Sequence, residues 1–165
     1  PMEFLLQIED SLVLIDPYWR FGLEKNRRVL DRMIASAKGG RCKSFIFVTK
    51  DDDRSESENE IRRLLSRHFS QALDQGFSFH IYLFNDRVTD EKLHARYLIG
   101  RHAGLRYDKG FAEAANEKVE IAILPKELHS ELSAKFLEKR HPCFPSAITI
   151  CLPEPKVHGF RFGVR

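Results

Sequence analysis

Apolar residues in this chain fall into short continuous runs separated by stretches with helical spacing. Leu12-Val13-Leu14-Ile15 is one such run, closed by Asp16-Pro17. A strand buried on both faces reads this way, and a proline ends it. Leu23, Val29, Leu30, Met33, Ile34 and Ala37 then share one helical face, and Gly39-Gly40 stops that helix. Ser44 to Thr49 is a second apolar strand. Asp51 to Glu60 is polar and acidic, with Ser55 and Ser57 available as helix caps. Ile61, Leu64, Leu65, Phe69, Ala72 and Leu73 form a second helical face that Gly76 closes, and Phe77 to Phe84 is a third strand. The order β-α-β-α-β argues for a mostly parallel sheet flanked by helices.

After Asn85 the pattern changes. Tyr97 to Ile99, Gly104 to Tyr107 and Val119 to Leu124 are short β-like runs separated by glycine-bearing turns, which suggests hairpins or further strands on the same sheet. Lys126 to Lys139 carries Leu128, Leu132, Phe136 and Leu137 at helical spacing, and Ala147 to Leu152 is a last strand before a basic tail, Lys156 to Arg165. No internal repeat, low-complexity tract or linker interrupts the chain. The expected architecture is α/β, with a mixed, mostly parallel sheet, in one domain over residues 2–165 that further domains of a longer polypeptide could accompany.

Composition adds little to that picture. The 165 residues are 42% hydrophobic and 31% charged, close to the soluble globular average. A net charge of +3 and a pI of about 8.9 permit an anionic partner without demanding one; a mixed solvated surface is the simpler explanation of them. Cys42, Cys143 and Cys151 are few, odd in number and widely spaced, so neither a metal site nor a disulfide framework is expected, and reduced thiols suit a cytoplasmic protein. No apolar run has the length of a membrane span, and Pro1-Met2-Glu3-Phe4 lacks the character of a signal peptide. No cofactor is called for.

Candidate chemistry gathers around Tyr97, where His94, Arg96, Arg101, His102, Arg106, Asp108 and Lys109 lie close in sequence. On an extended chain His94 and Arg96 point to the same side. Imidazole can act as nucleophile or proton donor, and guanidinium can grip two phosphate oxygens at once. His-x-Arg is a common pattern, and taken alone it is better explained by a surface histidine beside a solvated arginine.

The wider context carries a resemblance. Leu14-Ile15-Asp16-Pro17-Tyr18 with Arg20, a βαβ unit, and then Leu93-His94-Ala95-Arg96 ahead of a glycine-bearing hairpin from Gly104 to Phe111 resemble the phospholipase-D-like superfamily. More narrowly, they look like the C-terminal domain of MIT-domain-containing proteins. The likeness spans about residues 12–111. It implies a phosphate-handling site built from Arg20, His94, Arg96, Arg101 and Lys109.

The sequence departs from the active members of that superfamily. They carry His-x-Lys, four residues and then Asp; here the lysine position is Arg96 and the aspartate position is Arg101. The Gly-Ser/Thr-x-Asn element that follows in them has no clear counterpart, and Lys109-Gly110-Phe111 stands in its place. Arginine's planar fork is no silent replacement for a point ammonium, and a nucleophilic histidine is ordinarily held by a carboxylate. Asp16 or Asp108 could supply one.

Three functions follow. One is a non-catalytic module for a phosphate-containing ligand, either a phosphoinositide headgroup or a nucleic acid. Another is a metal-independent phosphodiesterase or nuclease with His94 as nucleophile and Arg96 holding the phosphate; with one motif per chain it would need a symmetric homodimer. The third is a protein-interaction domain with no phosphate site. Weaker candidates are Asp51-Asp52-Asp53 as an ion site or plain acidic loop, and Tyr18, Trp19 and Phe21 as an aromatic platform or core edge. His68, His80 and His129 read as packing or surface histidines. The tail residues Lys156, His158, Arg161 and Arg165, interleaved with Phe160 and Phe162, could contact nucleic acid, acidic lipid or another domain.

Overall fold

The computed structural model describes residues 2–52, 55–85, 94–108 and 120–154. Lys109, Gly110, Phe111 and the tail from Lys156 lie outside them. The sheet is built from β1 (Ser11–Ile15), β2 (Ser44–Lys50), β3 (Ser78–Phe84), β4 (Arg96–Ile99), β5 (Gly104–Tyr107), β6 (Ile121–Ile123) and β7 (Ile148–Leu152), in the spatial order β6-β5-β4-β1-β2-β3-β7. Helices α1 (Met2–Ile8), α2 (Glu24–Ala37), α3 (Glu58–His68), α4 (Ser70–Asp74) and α5 (Lys126–Leu132) complete it, with a π-helical turn over Ser133–Leu137 continuing α5.

The α/β class holds; the mostly parallel sheet does not. Only β1–β2 and β2–β3 are parallel, while β1–β4, β4–β5, β5–β6 and β3–β7 are antiparallel. The sheet is a parallel centre with antiparallel flanks. Strand direction is invisible in these hydrophobic runs, because a strand covered on both faces is apolar whichever way it runs.

Both faces are covered. On one side Leu12, Leu14, Phe45, Phe47, Phe79, Ile81 and Leu98 pack against α1 to α4 through Leu6, Leu30, Met33, Ile61, Leu65 and Ala72. On the other, Val13, Ile15, Val48, Tyr82, Phe84 and Ile99 meet Leu132 and Phe136 from α5 and the π turn, with Cys143 beyond. Alternate residues of each central strand thus enter different cores, which is why Leu12 to Ile15 reads as an unbroken apolar run.

Local signals behave largely as expected, with informative exceptions. Ser57 caps α3 by accepting from the Glu60 amide, whereas Ser55 accepts from the Asp52 amide and donates to the Lys50 carbonyl. The second helix breaks at Phe69 into α3 and α4, with Phe69 itself buried, and Gly76 takes φ +83° in the turn that follows. Helix α1 has no counterpart in the sequence reading. It is seven residues long and buries Leu5 and Leu6, so packing rather than periodicity holds it.

A buried carboxylate ties α1 to the sheet. Glu9, only 2% exposed, accepts from the Arg101 and His102 amides at 2.9 and 2.8 Å and lies 3.2 Å from His102 Nδ1. It occupies the turn between β4 and β5 so closely that a Cβ on Gly100 would fall 2.4 Å from its Cδ. His129 closes the same turn from the other face, its Nε2 2.9 Å from the Gly100 carbonyl, and is therefore a half-buried clamp and not a surface histidine.

Gly100→Ala is expected to lower the unfolding free energy by about 1–3 kcal/mol through overpacking. Gly39→Ala, whose added Cβ meets nothing within 4 Å, is the matched control and should stay within about 0.5 kcal/mol of the parent in urea denaturation.

Candidate functional site

The charged residues that could meet a ligand gather at the carboxyl edge of the parallel strands. Antiparallel pairing sets Ile15 across from Tyr97, so one step further Asp16 faces Arg96. β4 therefore starts where β1 and β2 end. Crevices beyond the carboxyl ends of such strands are where α/β sheets habitually bind ligands.

Arg96 is held on three sides. Its Nε lies 3.4 Å from Asp16 Oδ1, its Nη1 donates to the Asp108 carbonyl at 3.3 Å, and its guanidinium stacks 5.1 Å from the centre of the Tyr18 ring. Nη2 is engaged by none of the described residues. The side chain keeps 23% of its surface exposed, whereas Asp16 beneath it is almost fully buried. Lys50, at the end of β2, sits 5.6 Å from the same Tyr18 ring. Tyr18 itself is half exposed, and Trp19 and Phe21 beside it are core residues packed on Phe47. The aromatic segment thus divides: two rings fill the core edge, and one lies under the cations.

Arg20 is near this group but committed elsewhere. Its Nη2 donates to both carboxylate oxygens of Asp52 at 2.8 Å and its Nη1 to the Trp19 carbonyl at 2.9 Å. The pair pins the acidic loop to the strand edge. Asp52 is therefore a partner of Arg20, and among the described residues no group of acidic, histidine or cysteine side chains has the arrangement of a metal site.

The other expected site residues separate. The chain bends at Ala95, so His94 lies outside β4, and the alternation that would align it with Arg96 does not extend to it. His94 is exposed, and no described residue holds its ring. Arg101 stands at the opposite end of β4, in the turn that Glu9 clamps, about 10 Å or more from Arg96 along the strand. There it lines a groove of about 690 Å³ with Glu9, Asp10, Arg41, His102 and Glu138. Of the expected phosphate ligands, the fold brings Arg96 and Arg20 to one edge, leaves His94 just upstream and removes Arg101. Lys109 lies outside the described residues. Lys50 was missed; its position as the last residue of a strand, just before an acidic loop, was the available signal.

Asp16 sets the electrostatics. Burial pushes its carboxyl above the ordinary 3.8, against the lowering pull of the Tyr18 amide and of the Arg96 and Arg20 charges. The Tyr18 amide donates to Oδ1 at 2.9 Å. This acid orients Arg96, and no described carboxylate takes up the corresponding role at His94. Compared with family models, with curated proteins and with solved structures, the chain matches none. Among the described residues no helix is long and apolar enough to cross a membrane.

A carboxyl whose value is raised in the folded state binds its proton more tightly there than in the unfolded chain. Its contribution to stability is then fully present below 3.8 and is lost as pH rises through the folded value. Asp16→Asn keeps the acceptor for Tyr18 but cannot ionise. Its urea midpoint should rise relative to the parent as pH climbs from below 3.8 to neutrality. A difference independent of pH would mean that burial does not strain this carboxyl.

Proposed function

We propose that this chain is a phosphate-recognising domain of the phospholipase-D-like kind, most like the C-terminal domain of MIT-domain-containing proteins, acting as a binding module. The observation that carries the reading is Arg96. A buried carboxylate and an aromatic ring fix its guanidinium at the carboxyl edge of the sheet, and Nη2 is left without a partner among the described residues. An arginine oriented in this way offers a planar fork to phosphate oxygens at little further ordering cost. Lys50 and the exposed ring of His94 add donors nearby. Arg20 serves this site as a support through Asp52 and becomes a ligand only if phosphate displaces that acid.

Hydrolysis asks for more. A histidine nucleophile needs a fixed tautomer and a partner acid, and the acid at this edge is spent on Arg96. Binding needs only the donors. The ligand class is a phosphate ester, either a phosphoinositide headgroup or a nucleic acid backbone.

The test is binding to phosphoinositide-containing vesicles and to single-stranded oligonucleotides in EDTA. Arg96→Ala should weaken binding about tenfold or more, in line with the roughly 1.5–3 kcal/mol of a charge-assisted hydrogen bond. Arg96→Lys should restore only part of it, because the fork is lost. Binding that ignores Arg96→Ala would sink the proposal. Cleavage in EDTA that vanishes in His94→Ala would replace the module with a dimeric phosphodiesterase.

A further inference from the structure

Far from the Arg96 edge, on the sheet face that α5 covers, a cysteine and a histidine are locked side by side. His80 on β3 and Cys151 on β7 are directly opposed in the antiparallel register, and Cys151 Sγ lies 3.4 Å from His80 Nδ1. Both residues are partly exposed, because β7 is the edge strand of the sheet. The next pair on the same face includes Tyr82, whose hydroxyl accepts from Lys139 Nζ at 2.5 Å. Lys139 is an exposed residue held at φ +56°, a backbone region a lysine seldom occupies, and that conformation brings its ammonium over the Tyr82 ring. The other two thiols differ in kind: Cys42 and Cys143 are fully buried, and burial pushes the Cys42 thiol up to about 11.

We propose that Cys151 is a reactive thiol, with His80 as its base, that exchanges with anionic low-molecular-weight disulfides of the glutathione type. The Cys151 S–H proton passes to His80 Nδ1, and the sulfur attacks one sulfur of the disulfide. A bond forms between Cys151 Sγ and that sulfur as the old sulfur–sulfur bond breaks. The departing thiolate takes the proton back from His80 and leaves as a thiol. Cys151 is oxidised and the departing sulfur reduced, so no other oxidant is required. Burial and the Lys139 charge both lower the pKa of His80, so its ring rests neutral with a lone pair to receive the proton and, as a weaker base, returns it readily to the departing thiolate. The exposed Lys139 ammonium supplies positive charge for the carboxylates of such a disulfide.

The chromogenic disulfide dithiobis(nitrobenzoate), itself anionic, is the first probe. One thiol per native chain should react, faster than free glutathione does with the same reagent, and Cys151→Ser should abolish that phase while Cys42 and Cys143 react only on unfolding. His80→Asn places an amide where Nδ1 stood but cannot take up a proton. It should slow the phase at neutral pH by about tenfold or more with the urea midpoint unchanged. Oxidised glutathione should then give a mixed disulfide at Cys151 by mass spectrometry. A fast phase that survives Cys151→Ser, a His80→Asn rate equal to the parent's, or a native Cys151 no more reactive than glutathione overturns the assignment. So does the absence of the glutathione adduct. The comparison with free glutathione uses the parent chain alone, so it decides the matter even if His80→Asn does not fold.

Discussion

The rest of this structure depends on one constraint: β1, β2 and β3 are buried on both faces. A strand sandwiched between two helical layers can offer nothing polar from its middle, since each polar group there would be desolvated without a partner. The interior of these strands is accordingly apolar save for two residues: Thr49, buried near the end of β2, whose hydroxyl donates to the Trp19 carbonyl, and His80 of β3, which is partly exposed. Charge and chemistry are pushed to the two ends of the sheet and to its outer strands. Arg96, Asp16 and Lys50 sit at one end, and Glu9, Arg101 and His102 at the other.

The antiparallel flanks decide which charged residues meet. Because β4 runs against β1, its first residue arrives at the carboxyl edge and its last at the amino edge. Arg96 and Arg101 are five positions apart in sequence, yet the strand between them sends them to opposite ends. The same reversal at β7 puts Cys151 across from His80, residues 71 positions apart in the chain. In each case a pairing register, and not proximity in sequence, makes the chemical neighbourhood.

Buried carboxylates do the orienting at both ends. Asp16 fixes an arginine and Glu9 fixes a turn: Asp16 accepts the Tyr18 amide and lies against Arg96 Nε, and Glu9 accepts two amides and lies against the His102 ring. Burying an acid is unfavourable unless hydrogen bonds and opposite charge offset the lost hydration. For Asp16 burial still outweighs these offsets and holds its carboxyl above the ordinary value, although two arginines stand near it. An acid so placed trades stability for the position of Arg96. The support at Arg20 is of another kind, a pair open to solvent on its Asp52 side and one that holds a loop.

By itself the sequence determined most of the elements and the class. Continuous apolar runs marked the strands, 3.6-residue spacing marked the longer helices, and Ser57 and Gly76 marked an end of each segment they bound, because these signals are local and set by burial and backbone geometry. His-x-Arg and Asp-Pro-Tyr were likewise legible as a place where cations and an aromatic ring could gather. Tertiary structure alone decided the strand directions, the bend at Ala95 that takes His94 off the strand, the separation of Arg101 from Arg96, and the entry of Lys50 into the group. It also decided that Tyr18 faces solvent while Trp19 turns inward, that α1 forms at all, and that His80 and His129 have specific partners. These outcomes depend on which strand lies beside which and in what register, and hydropathy, blind to direction once both faces are buried, carries no record of either.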